Sequence, residues 1–356
     1  MKLIHVVGAR PNFMKVAPVL RALREHDVEQ KLLHTGQHYD VNMSDIFFQQ
    51  LDIPAPDINL EVGPGTQTEQ TAQMMIRCEK VFTEQRPEMV LVYGDVNSTV
   101  AAALVCAKLR IPIAHVEAGL RSFDRSMPEE VNRLVTDQLS DLLFTPSEDG
   151  NANLAREGIP AEKIKLVGNV MIDTLVRMLP VAKVPANLKL RSEFVLVTLH
   201  RPGNVDDAAN LKRIVETLTN ISKEVQVIFP VHPRTQKRMR DLGYALPESE
   251  MLVVTPPLGY LEFLALEERA SLVLTDSGGV QEETTYLGVP CLTLRPNTER
   301  PVTITHGTNR LIAENLATLP DAVQKALSHR MQRRVAPALW DGKAGERIAA
   351  IVANFR

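Results

Sequence analysis

The amino-acid sequence predicts an α/β protein made of two doubly wound domains that face a cleft. Short apolar segments alternate with helix-period segments along almost the whole chain, which is the pattern of strand–helix units around a parallel sheet. Most of the apolar segments are continuous, as expected of strands that are buried on both faces. A length of 356 residues is long for a single hydrophobic core, so two domains are expected.

Eleven segments carry the strand pattern, and helices are predicted between them. After the first strand, Phe13, Val16, Leu20 and Leu23 recur on one helical face, and Pro11 stands where a first-turn proline is tolerated. The predicted strands are 2–7, 30–36, 89–95, 111–117, 141–147, 163–169, 194–200, 225–232, 251–257, 271–277 and 290–296.

The alternation is interrupted once, at LPVAKVPANLKLRSE (179–193), which contains two prolines and has no strong period. We therefore expect an N-terminal domain over 1–170, a linker region over 171–193 and a C-terminal domain over 194–339. A last helix within 340–356 can belong to either domain, including a return to the first.

Composition limits the classes of partner. The 40 Lys and Arg residues against 43 Asp and Glu give a formal charge of −3, which is no electrostatic footprint for nucleic acid or an anionic membrane. No apolar run approaches the roughly 20 residues that span a bilayer, and the start lacks a signal-peptide pattern. Cys78, Cys106 and Cys291 have no zinc or disulfide spacing. We expect a cytoplasmic protein with reduced cysteines.

Polar residues collect directly after the predicted strands, where open parallel sheets bind their ligands. In TDSGGVQEE, Ser277, Gly278 and Gly279 offer a hydroxyl and free N–H groups at a helix start, an arrangement that favours a phosphate. Glu283, further along this helix, can reach back to a ribose diol. The alternative is a serine N-cap, with glycines that ease the turn and solvated glutamates.

Cationic groups follow several strands as well. An arginine can bind two phosphate oxygens at once. Cations directly after the predicted strands can therefore bind an anion there. The alternative is a set of ordinary surface side chains and packed histidines. The candidates are Arg10 and Lys15 after the first strand, His200 with Arg201, His232 with Arg234, and Arg300.

Three carboxylates complete the candidate site. Asp95 and Glu117 end two strands that we expect to be neighbours, and Glu129 stands near the start of the next helix. Acids that converge on one site repel one another, and a raised pKa equips one of them as a general acid or base. For Glu129, the preference of helix starts for acidic residues is the alternative.

Several other chemistries lack their motifs. The sequence contains no G-x-G-x-x-G, no Walker loop, no H-E-x-x-H and no G-x-S-x-G. His34 and His38 have i,i+4 spacing, but the glycine between them favours a turn over a metal site. We expect neither a cofactor nor a metal.

Eight motifs together identify a resemblance. The chain resembles the non-hydrolysing UDP-N-acetylglucosamine 2-epimerases over essentially its whole length. This resemblance implies a GT-B-type fold of two Rossmann-like domains, a UDP-sugar substrate and a homodimer. The motifs, in family order, are GARPNFMKVAPV, TGQH, VYGDVNST, HVEAGLRS, MPEEVNR, LVTLHR, TDSGGVQEE and ERP.

The resemblance also implies roles for single residues. The catalytic and sugar positions of the family fall on Lys15, Asp95, Glu117 and Glu129. Its uracil-pocket contacts fall around Leu258 and Phe263. The uridine and diphosphate contacts fall on Arg10, His200, Ser277, Gly278, Gly279, Glu283 and Arg300.

The family reaction interconverts UDP-GlcNAc and UDP-ManNAc, for surface polysaccharide precursors. Because the C2 proton of the sugar is not next to a carbonyl, simple deprotonation is very difficult. The family eliminates UDP to give 2-acetamidoglucal and adds UDP back with inversion at C2. Such a route requires a carboxylate base, an acid, and cations that stabilise the departing diphosphate.

The sequence departs from the family pattern at two points. The loop SFDRSMP (122–128) is short and lacks the Tyr or Trp of many members, and Pro202 replaces a second arginine. Some members bind a second UDP-GlcNAc as an activator through a Gln-His pair. Gln37 and His38 match that pair, and we group Arg201 and His232 with them as candidates for such a second site. The departures also admit a related UDP-N-acetylhexosamine as the substrate.

Three alternatives stay open from the sequence. A hydrolysing relative would release free ManNAc and UDP, because water would capture the elimination intermediate. A GT-B glycosyltransferase would need an acceptor site and has less use for convergent acids. A nucleotide-sugar sensor would keep Ser277, Glu283 and Arg300 but has no need for the three acids.

Overall fold

The structure of the chain, a computed structural model, describes residues 1–37, 51–244, 249–312, 316–328 and 336–355. It divides into two units. The first comprises Met1–Thr174 together with Ala338–Arg356, and the second comprises Leu175–Pro337. Within the described ranges, no helix is long and apolar enough to cross a membrane.

Each unit is built on one parallel sheet. In chain order, the strands of the two sheets are β1 (Lys2–Val7), β2 (Glu29–His34), β3 (Ile58–Asn59), β4 (Met89–Tyr93), β5 (Ile113–Val116), β6 (Leu142–Thr145), β7 (Ile164–Leu166), β8 (Phe194–Thr198), β9 (Gln226–Pro230), β10 (Leu252–Thr255), β11 (Leu272–Thr275), β12 (Cys291–Thr293) and β13 (Asn309–Leu311). The first sheet has the order β3-β2-β1-β4-β5-β6-β7, and the second has the order β10-β9-β8-β11-β12-β13.

Helices connect the strands. In chain order within the described residues they are α1 (Arg10–Leu23), α2 (Gln67–Gln85), α3 (Asn97–Leu109), α4 (Pro128–Leu139), α5 (Glu148–Arg156), α6 (Val170–Met178), α7 (Pro202–Val205), α8 (Ala208–Ile221), α9 (Pro233–Asp241), α10 (Tyr260–Arg269), α11 (Gly278–Leu287), α12 (Val302–Thr305), α13 (Leu319–Ser328) and α14 (Ala344–Ala353). Short 3-10 turns occupy Ala161–Lys163, Leu179–Val181 and Leu316–Thr318.

The strand order places a topological switch point in each sheet. Consecutive strands run outward from β1 to β3 on one side, and the chain then returns to β4 on the other side of β1. The second sheet repeats this order, with the switch between β8 and β11. Loops that leave the two strands of a switch point diverge and leave a crevice at the carboxyl edge. The α/β class with two doubly wound units is confirmed.

All eleven predicted strands are present, and two further strands were missed. The missed strands, Ile58–Asn59 and Asn309–Leu311, are edge strands of two and three residues. Segments this short carry no recognisable period. The central strands are fully buried, for example at Val92 and Val197, which explains their continuous apolar sequences.

The segment 171–193, expected as a linker, begins with helix α6. Ile172 is fully buried, and the Thr174 hydroxyl donates a hydrogen bond of 2.6 Å to the carbonyl of Met14. The first part of this segment is therefore folded into the first unit.

The C-terminal helix α14 belongs to the first unit and packs on α1. The Asp173 carboxylate accepts hydrogen bonds from the backbone N–H groups of Ala344 (3.1 Å) and Gly345 (2.7 Å) at the helix start. A Cβ at Gly345 would lie 2.7 Å from the Pro18 carbonyl oxygen, so glycine permits the close packing. The Trp340 indole N–H donates to the carbonyl of Pro146 at 2.9 Å.

Candidate active site

The carboxyl edge of the first sheet brings Lys15 and Glu117 together. Lys15 lies in the second turn of α1, directly after β1, and Glu117 follows the last residue of β5. The ammonium of Lys15 forms an ion pair with Oε2 of Glu117, and only 6% and 3% of the two side chains is exposed. A buried ion pair of this kind holds both groups in one orientation, because leaving either charge unpaired would be costly.

The backbone at Glu117 is strained. Its φ of +73° lies in the left-handed region, which non-glycine residues rarely adopt and which is often found at functional sites. The N–H groups of Glu117 and Ala118 both donate to the carbonyl of Phe144, at 3.1 and 3.0 Å. These two bonds stabilise the turn that directs the glutamate side chain toward Lys15.

Gly94 makes room for the ion pair. It follows β4 with a φ of +63°, and a Cβ there would lie 2.6 Å from Lys15 Nζ and 3.0 Å from Glu117 Oε2. Both the conformation and the space require glycine. The space around the ion pair thus explains why the second position of the motif YGD is a glycine.

Asp95 follows Gly94 on the loop after β4. Strands β4 and β5 pair in parallel, with Tyr93 opposite Val116, so the expectation that Asp95 and Glu117 stand at the ends of neighbouring strands is confirmed. The Asp95 carboxylate accepts from the Arg133 guanidinium at 2.9 and 3.1 Å. Its side chain is 26% exposed, so the acid is fixed in place and still reachable from solvent.

Glu129 and Glu130 differ in environment although both lie in the first turn of α4. Glu129 is exposed, whereas Glu130 is buried and pairs with Arg133. Glu130 also accepts hydrogen bonds of 2.9 Å from the backbone N–H groups of Ser122 and Phe123. It thereby holds the short loop 122–127, a role that the sequence pattern did not reveal.

A buried network of hydrogen bonds and ion pairs holds the carbonyl group of Gly94 in place. The His115 Nε2 lies 2.8 Å from the Gly94 carbonyl oxygen, and its Nδ1 lies 2.6 Å from Asp137 Oδ1. Arg121 pairs with the other oxygen of Asp137 at 2.7 Å. Burial alone would raise the pKa of Asp137, but His115 and Arg121 outweigh it and lower that pKa below its usual value. The sequence did not predict this network, because its residues lie far apart along the polypeptide.

The second sheet places an open helix start at its own switch point. Ser277 is the N-cap residue of α11, yet its side chain caps none of the first-turn N–H groups. Its own N–H donates to the Thr275 hydroxyl at 3.0 Å. The serine cap of the alternative interpretation is therefore absent here, and the partly exposed residues Ser277, Gly278 and Gly279 leave the helix terminus open.

Asp276 organises the loop after β8 and was not singled out from the sequence. It is fully buried and accepts from the backbone N–H groups of His200 (3.1 and 3.0 Å) and Arg201 (2.9 Å). His200 Nδ1 lies 2.9 Å from its Oδ1, and Asn204 donates to its Oδ2 at 3.0 Å. Burial would raise the pKa of Asp276, but these partners lower it overall. Asp276 thus fixes His200, whose side chain is half exposed.

Arg300 lies against the start of α11. Its Nε lies 2.9 Å from Glu282 Oε1, and its guanidinium also pairs with Glu299. A Cβ at Gly278 would lie 2.5 Å from Arg300 Nη1, so the glycine permits the close approach. The cation is thus held beside the open helix terminus by two buried acids.

Helix α10 and the loop before it lie next to Glu283. The Tyr260 hydroxyl donates to Glu283 Oε1 at 2.8 Å. Leu258 and Phe263 are half buried and pack on a core that includes Leu266 and Val280.

The remaining predicted residues fall in several places. Arg10 is the first residue of α1 and Arg234 lies in α9, but their side chains, like the whole of His38, lie outside the described residues. Gln37 accepts from the backbone N–H and the hydroxyl of Ser98 at 3.2 and 2.8 Å. His232 follows β9 and is exposed, and the Arg201 Nε donates to the Asp276 carbonyl at 3.1 Å.

Comparison with known sequences identifies relatives across the whole chain. Residues 21–353 match the UDP-N-acetylglucosamine 2-epimerase family. The chain is 45% identical to the UDP-N-acetylglucosamine 2-epimerase of Methanocaldococcus jannaschii, over 99% of both chains. It is 43% identical to the UDP-2,3-diacetamido-2,3-dideoxy-D-glucuronate 2-epimerase of Pseudomonas aeruginosa, over 100% of both chains.

Solved structures show the same fold. A crystal structure of the M. jannaschii UDP-GlcNAc 2-epimerase in complex with UDP-GlcNAc and UDP matches with a TM-score of 0.90 at 45% identity, over 100% of both chains. A crystal structure of UDP-GlcNAc 2-epimerase from Neisseria meningitidis bound to UDP-GlcNAc matches with a TM-score of 0.91 at 30% identity, again over 100% of both chains. These neighbours have the GT-B fold. The resemblance seen in the motifs is confirmed, and the chain belongs to the UDP-N-acetylglucosamine 2-epimerase family of isomerases.

Proposed function

We propose that the chain is a non-hydrolysing 2-epimerase that interconverts UDP-GlcNAc and UDP-ManNAc. The observation that carries the proposal is the buried Lys15–Glu117 ion pair at the carboxyl edge of the first sheet, where Asp95 follows the strand next to that of Glu117. A protein that only binds nucleotide-sugars has no need to hold Glu117 in a strained left-handed conformation next to a second acid.

In the proposed reaction, one carboxylate accepts the C2 proton while the C1–O bond to UDP breaks. The electron pair of the C2–H bond forms the C1=C2 double bond of 2-acetamidoglucal, and UDP leaves with the electrons of the C1–O bond. Re-addition of UDP at C1 and return of a proton to the other face of C2 inverts that centre. Asp95, Glu117 and Glu129 are the proposed acid and base groups, and Lys15 supplies a cation among them.

The second unit is proposed to hold UDP. The open N-terminus of α11 at Ser277, Gly278 and Gly279 suits the diphosphate, because its N–H groups and helix dipole favour an anion. Arg300 and His200 add positive or hydrogen-bonding groups to the diphosphate, and Arg10 is proposed to do the same from α1. Glu283 suits the ribose hydroxyls, and Leu258 with Phe263 suits the uracil ring.

The proposal extends to the setting of the enzyme. We infer a cytoplasmic homodimer that takes part in the synthesis of surface polysaccharide precursors. The scattered cysteines support the location, and the family resemblance supports the dimer and the role. Gln37, His38, Arg201 and His232 are proposed as the candidates for a regulatory UDP-GlcNAc site. Sedimentation of the purified protein at micromolar concentration tests the assembly, since a monomer mass would contradict it.

Proton NMR of the purified protein with UDP-GlcNAc in D2O tests the reaction. Growth of UDP-ManNAc with deuterium at C2 is the expected result. Free ManNAc with UDP would instead identify a hydrolysing enzyme. By its name, the P. aeruginosa relative acts on UDP-2,3-diacetamido-2,3-dideoxy-D-glucuronate. The same experiment is therefore repeated with that UDP-sugar. Turnover there without turnover of UDP-GlcNAc would keep the epimerase chemistry and change the substrate.

A further inference from the structure

Arg295 is a buried cation at the carboxyl edge of the second sheet. It stands two residues after the end of β12, and only 3% of it is exposed. Its Nη2 donates to Oε2 of Glu299 at 2.8 Å. Among the described residues, its Nη1 is buried and has no hydrogen-bond partner. A buried guanidinium that the protein satisfies only in part is costly, so a role beyond packing is expected.

Glu299 links Arg295 to Arg300. Its other oxygen, Oε1, pairs with the Arg300 guanidinium, and its side chain is buried as well. The Arg300 Nε in turn lies 2.9 Å from Oε1 of the buried Glu282. The four side chains therefore form a row of alternating charge, which we call the charge row. In order, its members are Arg295, Glu299, Arg300 and Glu282.

The charge row reaches the proposed diphosphate site. Two of its members lie directly against Gly278, the first residue of α11. A Cβ on this glycine would lie 2.5 Å from Arg300 Nη1 and 2.9 Å from Glu299 Oε1. An anion at the open helix start would therefore meet the negative charge of Glu299 as well as the positive charge of Arg300.

The charges of the row cancel only because Arg295 belongs to it. Two arginines against two glutamates give no net charge. Without Arg295, one arginine would face two buried carboxylates, and the row would carry a net charge of −1. Away from water, such a charge acts strongly on a neighbouring ion. It would repel a diphosphate even though Arg300 would still be present.

Neutral contacts also hold the loop that carries these residues. The Thr298 hydroxyl donates to Gln281 Oε1 at 2.6 Å, and the backbone N–H of Arg300 donates to the Thr298 hydroxyl at 3.1 Å. The N–H of Leu294 donates at 2.8 Å to the carbonyl at the end of β11. Because these bonds hold both ends of the loop without Arg295, we expect its charge to be its main contribution.

We propose that Arg295 is a positioning residue that neutralises Glu299 and thereby leaves the positive charge of Arg300 available to the diphosphate of the bound nucleotide. This inference rests on the proposed function, which places the diphosphate at Arg300 and at the start of α11. Arg295 itself does not touch the ligand in this arrangement.

The ratio of the affinities for UDP and uridine tests the proposal, because uridine lacks the diphosphate. Both ligands are titrated calorimetrically into the wild type, Arg295→Met, Glu299→Gln and the double variant. Methionine keeps much of the apolar bulk of arginine and removes its charge. In Arg295→Met, UDP should bind about 5- to 20-fold more weakly, whereas uridine should bind as it does to the wild type. In the double variant the charges cancel again, so the ratio should return to the wild-type value.

Arg310 on β13 offers a matched control. It is exposed, so Arg310→Met should leave the ratio unchanged. A wild-type ratio in Arg295→Met would overturn the proposal. An equally low ratio in Arg295→Met and in the double variant would also overturn it, since the removal of a second charge does not repair a packing defect.

Arg300→Ala separates this inference from the proposed function. A lower ratio in Arg300→Ala with an unchanged ratio in Arg295→Met would keep the diphosphate site and reject the role of Arg295. An unchanged ratio in both variants would reject the diphosphate site as well. If Arg295→Met did not fold, Glu299→Gln would decide alone. The loss of a negative charge should not lower the ratio, and a lower ratio would refute the proposal.

Discussion

The carboxyl edges of the two sheets use opposite arrangements of charge. At the first sheet, buried cations hold acids in place, as Lys15 holds Glu117 and Arg133 holds Asp95. At the second sheet, buried acids hold the donors, as Asp276 holds His200 and Glu282 holds Arg300. The first arrangement suits the proposed proton transfer by carboxylates, and the second suits the proposed binding of the diphosphate. One strand order thus supports two kinds of chemistry.

The two edges also differ in their backbone. The first relies on a left-handed glutamate and on Gly94, which packs against its ion pair. The second relies on a helix terminus that no serine side chain caps. The strained backbone at the first edge fixes the direction of the Glu117 side chain. At the second edge, the N–H groups of the helix start are left without a side-chain cap and can bind a ligand.

The largest expected effect comes from removing an acid at the first edge. Glu117→Gln should lower kcat by about 10²- to 10⁴-fold, the usual contribution of general acid–base catalysis. UDP affinity should change little, because Glu117 is not among the proposed UDP contacts, most of which lie in the second unit. Steady-state kinetics and UDP calorimetry check this, with the exposed Glu148→Gln as the control. Near-normal kcat in Glu117→Gln would remove Glu117 from the chemistry.

Removing the cation at the carboxyl edge of the second sheet should have its main effect on UDP affinity. Arg300→Ala should weaken UDP binding by about 10- to 100-fold, as expected for a charge-assisted contact worth about 1.5–3 kcal/mol. The exposed Arg310 on β13 gives the matched control, and Arg310→Ala should bind UDP normally. Equal affinities in Arg300→Ala and Arg310→Ala would contradict the assignment of the diphosphate site.

A third substitution tests the room that Gly94 provides. Gly94→Ala and Gly158→Ala share the strain of a positive φ, but the added Cβ contacts the ion pair at 94 and nothing within 4 Å at 158. We expect Gly94→Ala to lower the free energy of unfolding by about 1–3 kcal/mol more than Gly158→Ala. It should also lower kcat. Fluorescence of Trp340, the single tryptophan, follows unfolding of the first unit. Equal losses would show that the contact is unimportant.

The smallest expected effect is the opposite response of two buried groups, His5 and Glu283, to pH. Burial lowers the pKa of His5 to about 4. The unfolded chain then binds the extra proton, so the contribution of His5 to stability is present above pH 6.5 and is lost as pH falls toward 4. Glu283, whose pKa is raised to about 7, stabilises fully below its unfolded value, and this contribution is lost as pH rises through 7.

His5→Gln isolates the first of these contributions. Between pH 7 and 5.5, the wild type should lose about 1 kcal/mol more stability than His5→Gln in urea titrations followed at Trp340. The same slope in both proteins would show that His5 is not the responsible group.

Much of the candidate site could be predicted because it lies where strands end. Asp95, Glu117, Ser277 and Glu283 stand in motifs next to apolar runs, and the structure places them at the carboxyl edges of the two sheets. Glu130 could not be found in this way. In MPEEVNR it looks like its exposed neighbour Glu129, and only its burial and its ion pair with Arg133 distinguish the two.

The sequence by itself determined the fold class, nearly all of the strands and the motifs at their ends, because continuous apolar runs and local glycine chemistry act over a few residues. Tertiary structure decided which groups pair. Lys15 meets Glu117 across 102 positions, Asp276 meets His200 across 76, and α14 returns to α1 near the end of the chain. Such pairs depend on strand order and register, which bring together side chains that no local pattern relates.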